Sequence, residues 1–267
     1  MDNVVIASTQ EDARAAEAVE QHHAQMAGEL ALRVEALVAA ASARDAERAA
    51  AEREALVDWA THELVPHALA EEKALYPAAQ AMAEGRLLVE GMLAEHQVIV
   101  GLVDQLGAAV DWVRAASAAT ALKVAFDSHL AKENELVLPL LTGAPHVSVA
   151  EMLGGMHELL GGHAADEPRA AQGHGGSAGH SCGCGEVDGP GYPELDTRAV
   201  PHAIRHATIF GALEALAPGG GMVLAASHDP LPLLSQLEQR SPGVFEVSYL
   251  ERGPELWRLQ LVRRTAA

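Results

Sequence analysis

The sequence predicts two unlike parts in one chain: an up-down four-helix bundle, then a smaller two-layer α/β domain of order β-α-β-α-β-β. Three observations predict this. Apolar residues recur at three- and four-residue spacing from about Thr9 to Leu141, where Ala, Glu, Arg and Leu dominate and Gly and Pro are sparse. From Gly161 to Gly191 the composition turns to Gly, His, Ala and Ser, which marks a flexible tether. Beyond Pro193, short apolar runs bounded by turn residues alternate with helical patterns. The expected domains are 1–160, the bundle; 161–192, a Gly/His-rich linker with a Cys-x-Cys pair; and 193–267, the α/β domain.

Within the bundle the periodicity predicts helices over 10–41, 45–83, 86–115 and 117–141, with a short fifth over 148–160. The breaks are Ser42-Ala43-Arg44-Asp45, Glu84-Gly85-Arg86 and Ala116-Ser117, and Gly143-Ala144-Pro145 closes the fourth helix. Long helices with short connections lie antiparallel as neighbours. In the second part, strands are expected over 194–200, 222–226, 244–250 and 256–262, and helices over 201–216 and 229–240.

Composition narrows the function. The chain is 49% hydrophobic but 3% aromatic, which suits helices packed through small residues rather than a β-sandwich. A net charge of −19 argues against nucleic acid or an anionic membrane surface as partner, since both need a basic footprint. The first eight residues lack the basic and apolar regions of a signal peptide, and no run of about 20 apolar residues spans a bilayer. Two cysteines, Cys182 and Cys184, make no secreted disulfide framework, so a cytoplasmic location is expected.

The chemistry lies in a repeated stretch. His67-Ala68-Leu69-Ala70-Glu71 is followed by Pro77, and His129-Leu130-Ala131-Lys132-Glu133 by Pro139, each Pro ten residues after its His. An i, i+4 pair shares one helical face, so each copy aims an imidazole and a carboxylate the same way. The third helix offers His96, followed at +3 and +7 by Ile99 and Val103 and at +14 by Val110, on the apolar stripe. The first helix offers His22 and His23. From His23 the same offsets reach Met26, Leu30 and Leu37; from His22 the first two reach Gln25 and Glu29, so His23 faces inward. His62 stands beside Pro66, which removes a backbone donor and kinks the turn, and is left outside the set.

Four imidazoles and two carboxylates thus converge: His23, His67, Glu71, His96, His129 and Glu133. Burying carboxylates without partners costs on the order of several kcal/mol. Two divalent metals bridged by the glutamates satisfy the set, and spacing alone admits iron, manganese or zinc. Six protein ligands leave positions for a small diatomic such as O2 or NO. The competing reading, partner-satisfied core histidines on an Ala-rich bundle, is the better one for any single His and the poorer one for six at duplicated spacing.

The first ~145 residues resemble the hemerythrin-like (HHE cation-binding) family, on Gln21-His22-His23, Pro66-His67-Ala68-Leu69-Ala70-Glu71-Glu72, Ala94-Glu95-His96 and Ser128-His129-Leu130-Ala131-Lys132-Glu133. The resemblance implies a four-helix bundle holding two iron ions, bridged by Glu71 and Glu133 and capped by the four histidines; a member of that wider fold is a standard example of such bundles. Oxygen-carrying hemerythrins have a further His one turn after the third-helix ligand, where this chain has Val100. A sensor, redox or iron-handling role is therefore expected over reversible O2 carriage.

The tether's His180-Ser181-Cys182-Gly183-Cys184, with His174 upstream, reads equally as a soft-metal or redox site and as an ordinary linker, because Cys-x-Cys alone does not complete a zinc set. In the α/β part, His202 and His228 follow the first two strands and fall near the edge where ligands collect; His206 makes an i, i+4 pair with His202. Structural roles are favoured there over a second site. This segment resembles an uncharacterised small α/β domain often fused to hemerythrin-like modules, itself similar to sulfur carriers. Leu195-Asp196-Thr197-Arg198-Ala199-Val200-Pro201-His202 follows their opening, with His202 in place of the reactive Cys.

The leading expectation is a non-haem di-iron protein responding to O2, NO or oxidative stress, with a protein partner met through the α/β domain. The alternatives are an enzyme-like role in NO or peroxide reduction or iron–sulfur cluster repair, and an interaction protein with adventitious metal.

Overall fold

A computed structural model describes residues 9–159 and 192–265 of the chain. The expectations placed on the tether, including Cys182, Cys184, His174 and His180, lie outside the described residues.

Helix α1, Gln10–Ser42, starts where Thr9 accepts the Asp12 amide at 3.0 Å and carries Glu11 and Asp12 in its first turn, where acidic side chains suit the helix dipole. Helix α2, Ala46–Trp59, is capped by Asp45 and runs into a π-helical turn, Ala60–Leu64. Pro66 lies just beyond it, in α3, Val65–Ala74. Proline lacks the N–H of a regular ladder, and a widened turn is one way a helix absorbs that loss. The chain breaks again at Leu75 before Pro77, in α4, Tyr76–Gln80.

Helices α5, Arg86–Gly107, and α6, Trp112–Lys132, complete the bundle. Their connection differs from the expected one: it falls at 108–111, not at Ala116-Ser117. Asp111, in extended backbone, accepts the Arg114 amide at 2.8 Å and so starts α6 early. Val110, expected on the apolar stripe, consequently stands 85% exposed in the connection. A second π-helical turn, Glu133–Val137, follows α6 and leads into α7, Leu138–Thr142, where Pro139 repeats the role of Pro66. Helix α8, Val149–Leu159, is tied to α1 through Asp12 Oδ1, which accepts from Ser148 Oγ and Ala150 N.

α1 packs on α2 and α6, and α5 on α6 and α2, closing a four-helix bundle. Its core holds Leu30, Leu37, Leu56, Leu64, Leu106 and Leu122, none of them exposed to solvent. Each such Leu stabilises the fold by about 2 kcal/mol relative to an exposed one.

The second part runs β1 (Glu194–Asp196), α9 (His202–Ala215), β2 (Gly221–Ala226), α10 (Leu231–Arg240), β3 (Phe245–Glu251) and β4 (Trp257–Arg263). The sheet order is β1-β2-β4-β3; β1 and β2 are parallel and the other pairs antiparallel. This is the expected β-α-β-α-β-β order, with a first strand shorter than expected because Thr197 and Arg198 turn out of it. β2, an uninterrupted apolar run, is buried throughout.

The two parts are packed together. α9 lies along α1 so closely that a Cβ on Gly28 would come 2.0 Å from the Ala212 nitrogen, and one on Gly211 would come 2.0 Å from the Ala24 carbonyl oxygen. Glycine is required at this crossing because two helix backbones touch there. Ala31 of α1 is buried in the same apolar cluster as Leu195, Ile204, Phe210 and Leu224. The crossing thus reaches Ala24, the residue next to His23.

Candidate metal centre

Each ligand candidate is positioned by an element already described. His23 comes from α1, His67 and Glu71 from α3, His96 from α5, His129 from the end of α6, and Glu133 from the π-helical turn after it. All six are buried, none more than 3% exposed. His22 and His62 point outward: His22 is exposed, and His62 Nδ1 donates to the Asp58 carbonyl on the surface.

Five of the six side chains gather in two overlapping groups that share Glu71, and Glu133 stands beside both. In one, His23, His67 and Glu71 bring a donor atom each within 4.8 Å of one another; in the other, Glu71, His96 and His129 do so. Glu71 Oε1 lies 3.0 Å from His23 Nε2 and 2.8 Å from His67 Nε2, the latter out of line for a hydrogen bond. Its other oxygen lies 3.7 Å from His96 Nε2. Glu133 Oε2 stands 3.9 Å from His23 Nε2 and 3.7 Å from His129 Nε2. Each carboxylate therefore reaches imidazoles of both groups.

The outer nitrogens explain the inner ones. His23 Nδ1 donates to Asn134 Oδ1 at 2.7 Å, His96 Nδ1 to Glu72 Oε1 at 2.8 Å, and His129 Nδ1 to Glu95 Oε2 at 3.2 Å. Lys132 holds Glu95 in turn. With the proton on Nδ1, each neutral ring aims a lone pair inward from Nε2. His96 and His129 then face each other with Nε2 atoms 3.0 Å apart, and His23 faces a carboxylate oxygen. Acceptors so placed need a proton or a metal ion between them. Outer-nitrogen bonds of this kind orient metal-binding histidines. Both oxygens of Glu133 and both nitrogens of His67 are buried without a hydrogen-bond partner among the described residues. Orphaned polar atoms at the bundle centre are costly unless something is bound there. The residues fit a pair of metal ions.

The titration pattern has the same origin. Burial works to raise the Glu71 carboxyl, but His67 and His23 overcome it and hold it well below the usual range. Burial, then the charge of Glu71, pushes Glu133 well above that range. Burial, then His96, lowers the His129 imidazole to about 4.

One donor was not expected from the sequence. Tyr76, 1% exposed, places its hydroxyl 3.4 Å from His96 Nε2 and 3.3 Å from His129 Nε2. Burial, then Glu133 and Glu71, raises its phenol. Tyr76, Glu72 and Asn134 lie inside the repeated stretches, and Glu95 precedes His96. The available signal was their fixed offset from the repeated histidines, at +5 and +9.

In the α/β part, His202, His206 and His228 are exposed, and the two groups at the bundle centre are the only such ligand clusters among the described residues. The second site weighed from sequence finds no support there. No helix is long and apolar enough to cross a membrane among the described residues.

Residues 14–141 match the family model of the hemerythrin HHE cation binding domain, and residues 194–263 that of an uncharacterized conserved protein, DUF2249. No curated protein and no solved structure matches the chain.

Proposed function

With residues 14–141 belonging to the hemerythrin HHE cation-binding family, we propose that the protein is a non-haem di-iron protein that responds to O2, NO or oxidative stress. The observation that carries this is the inward convergence of four Nε2 atoms on two buried carboxylates, with three of the outer nitrogens tied away from the centre. His23 and His67 would hold one ion and His96 and His129 the other, with Glu71 and Glu133 in reach of imidazoles on both sides. Two bound ions would supply a redox couple and a place for a diatomic ligand to bind.

The chain's own residues set the rest. Tyr76 offers a hard oxygen donor to the His96/His129 position, which suits iron over softer ions. Val100, where an oxygen carrier has a fifth imidazole, leaves the site without the ligand for simple O2 carriage. Glu72 and Glu95, 30% and 35% exposed, connect the outer nitrogens of the buried His96 and His129 to the surface. Domains at 1–160 and 193–267, joined by 161–192, separate ligand sensing from a protein-binding surface on the α/β domain, in the cytoplasm.

Anaerobic loading of metal-free protein with iron(II), followed by exposure to NO or O2, tests this. The expected result is a ligand-dependent visible spectrum that Glu71→Ala abolishes, with no catalytic turnover. Sustained NO or peroxide consumption that His96→Ala removes favours the enzyme-like role instead. Identical behaviour of the wild type and Glu71→Ala contradicts both.

A further inference from the structure

The site is built on a repeat, so its halves compare position by position. His67, Glu71 and Glu72 answer to His129, Glu133 and Asn134; His22-His23 answers to Glu95-His96. The residue five after each repeated His takes the outer N–H of an imidazole on another helix. On one side this is the carboxylate of Glu72, on His96 at 2.8 Å; on the other it is the neutral amide of Asn134, on His23 at 2.7 Å. The residue before each lone His lies against the repeated imidazole. Glu95 accepts from His129 Nδ1 at 3.2 Å, whereas His22 presents a ring 4.9 Å from that of His67. Nine residues after each repeated His stand Tyr76, beside His96 and His129, and Leu138, buried but without a donor.

All three differences point the same way. His96 and His129 have a carboxylate on each outer nitrogen and a phenol between their inner ones. His23 has an amide, and His67 Nδ1 has no hydrogen-bond partner among the described residues. A carboxylate on the outer nitrogen makes an imidazole a stronger ligand, and losing such a partner costs about 10- to 100-fold in metal affinity.

We infer that the two ion positions are inequivalent by construction: the His96/His129/Tyr76 position retains its ion, and the His23/His67 position exchanges it. This rests on the two-ion reading above and adds to it a chemical class of cargo. One iron(II) ion per chain is releasable to an acceptor while the other stays and keeps the bundle core organised. His22, exposed beside His67, lies on the side from which the exchangeable ion leaves.

The test is release of iron(II) from loaded, oxygen-free protein to ferrozine, read by absorbance, with total iron measured separately. The expected result is two ions per chain leaving in two equal phases, at least about tenfold apart in rate. Asn134→Asp should slow the fast phase alone, and Glu72→Gln should speed the slow phase alone. Both changes are near-isosteric. Tyr76→Phe provides an independent route to a faster slow phase, and circular dichroism of each metal-free variant checks its fold. Two ions leaving in one phase, or Glu72→Gln acting on the fast phase, overturns the inequivalence and leaves the two-ion reading intact. Binding of one ion or none overturns that reading itself.

Discussion

At the scale of single residues, the site is a problem in where protons and lone pairs go. His129 shows it most simply. Burial and the neighbouring His96 hold its imidazole at about 4, against 6.5 for an ordinary one. Between these values the unfolded chain binds the proton and the folded metal-free protein does not, so this residue's contribution to stability is full above pH 6.5 and is lost as pH drops toward 4. The loss from this residue alone is about 3 kcal/mol. Urea midpoints of metal-free protein across pH 4–7 should show that fall, and His129→Gln should flatten it; a wild-type curve as flat as the variant's would contradict the account. That the six candidate side chains face the bundle centre was legible because i, i+4 spacing and apolar stripes report facing. Glu72, Glu95, Asn134 and Tyr76 were not, because each acts on an imidazole of a different helix, and such distances are not written in local periodicity.

At the scale of elements, helix ends decide where the ligands sit. The sequence pattern placed all the bundle helices but put the third connection near Ala116-Ser117, since Ala-rich segments are helical on either side of it. The side chain of Asp111 outweighs that weak signal by satisfying a free backbone amide of α6. Asp111→Ala should therefore cost about 1 kcal/mol in chemical denaturation, while Ser117→Ala, inside the helix on its exposed face, should cost almost nothing. The reverse order would restore the connection expected from sequence. The π-helical turns were also hidden. Pro66 signalled a disturbance but not its form, and the second turn, which carries Glu133 and Asn134 into the site, precedes Pro139 as the first precedes Pro66. Widened turns of this kind recur at functional sites because they re-aim side chains within an otherwise regular helix.

At the scale of the whole molecule, the ion-binding bundle and the α/β domain meet helix to helix. The order of strands and helices was readable from alternating apolar runs, but their docking was not, since Gly28 and Gly211 look like ordinary helix-weakening residues until the two backbones are seen to touch. A methyl group at either position collides with main chain, so Gly211→Ala should destabilise the protein by about 1–3 kcal/mol. Hydrogen exchange should quicken along α1 and α9 in that variant; unchanged protection of both helices would show that the two parts do not depend on this crossing. On the proposed metal-binding reading, in which only the folded bundle assembles the site, loading it with iron at 100 times its dissociation constant should add about 3 kcal/mol of stability, seen as a rise in melting temperature that a chelator reverses. The most direct measurement is the iron content of the loaded, desalted protein, compared with that of Glu71→Ala and Glu133→Ala. The account predicts two ions per chain in the wild type and a clear loss in both variants. Iron bound equally by all three proteins, or by none, would contradict it.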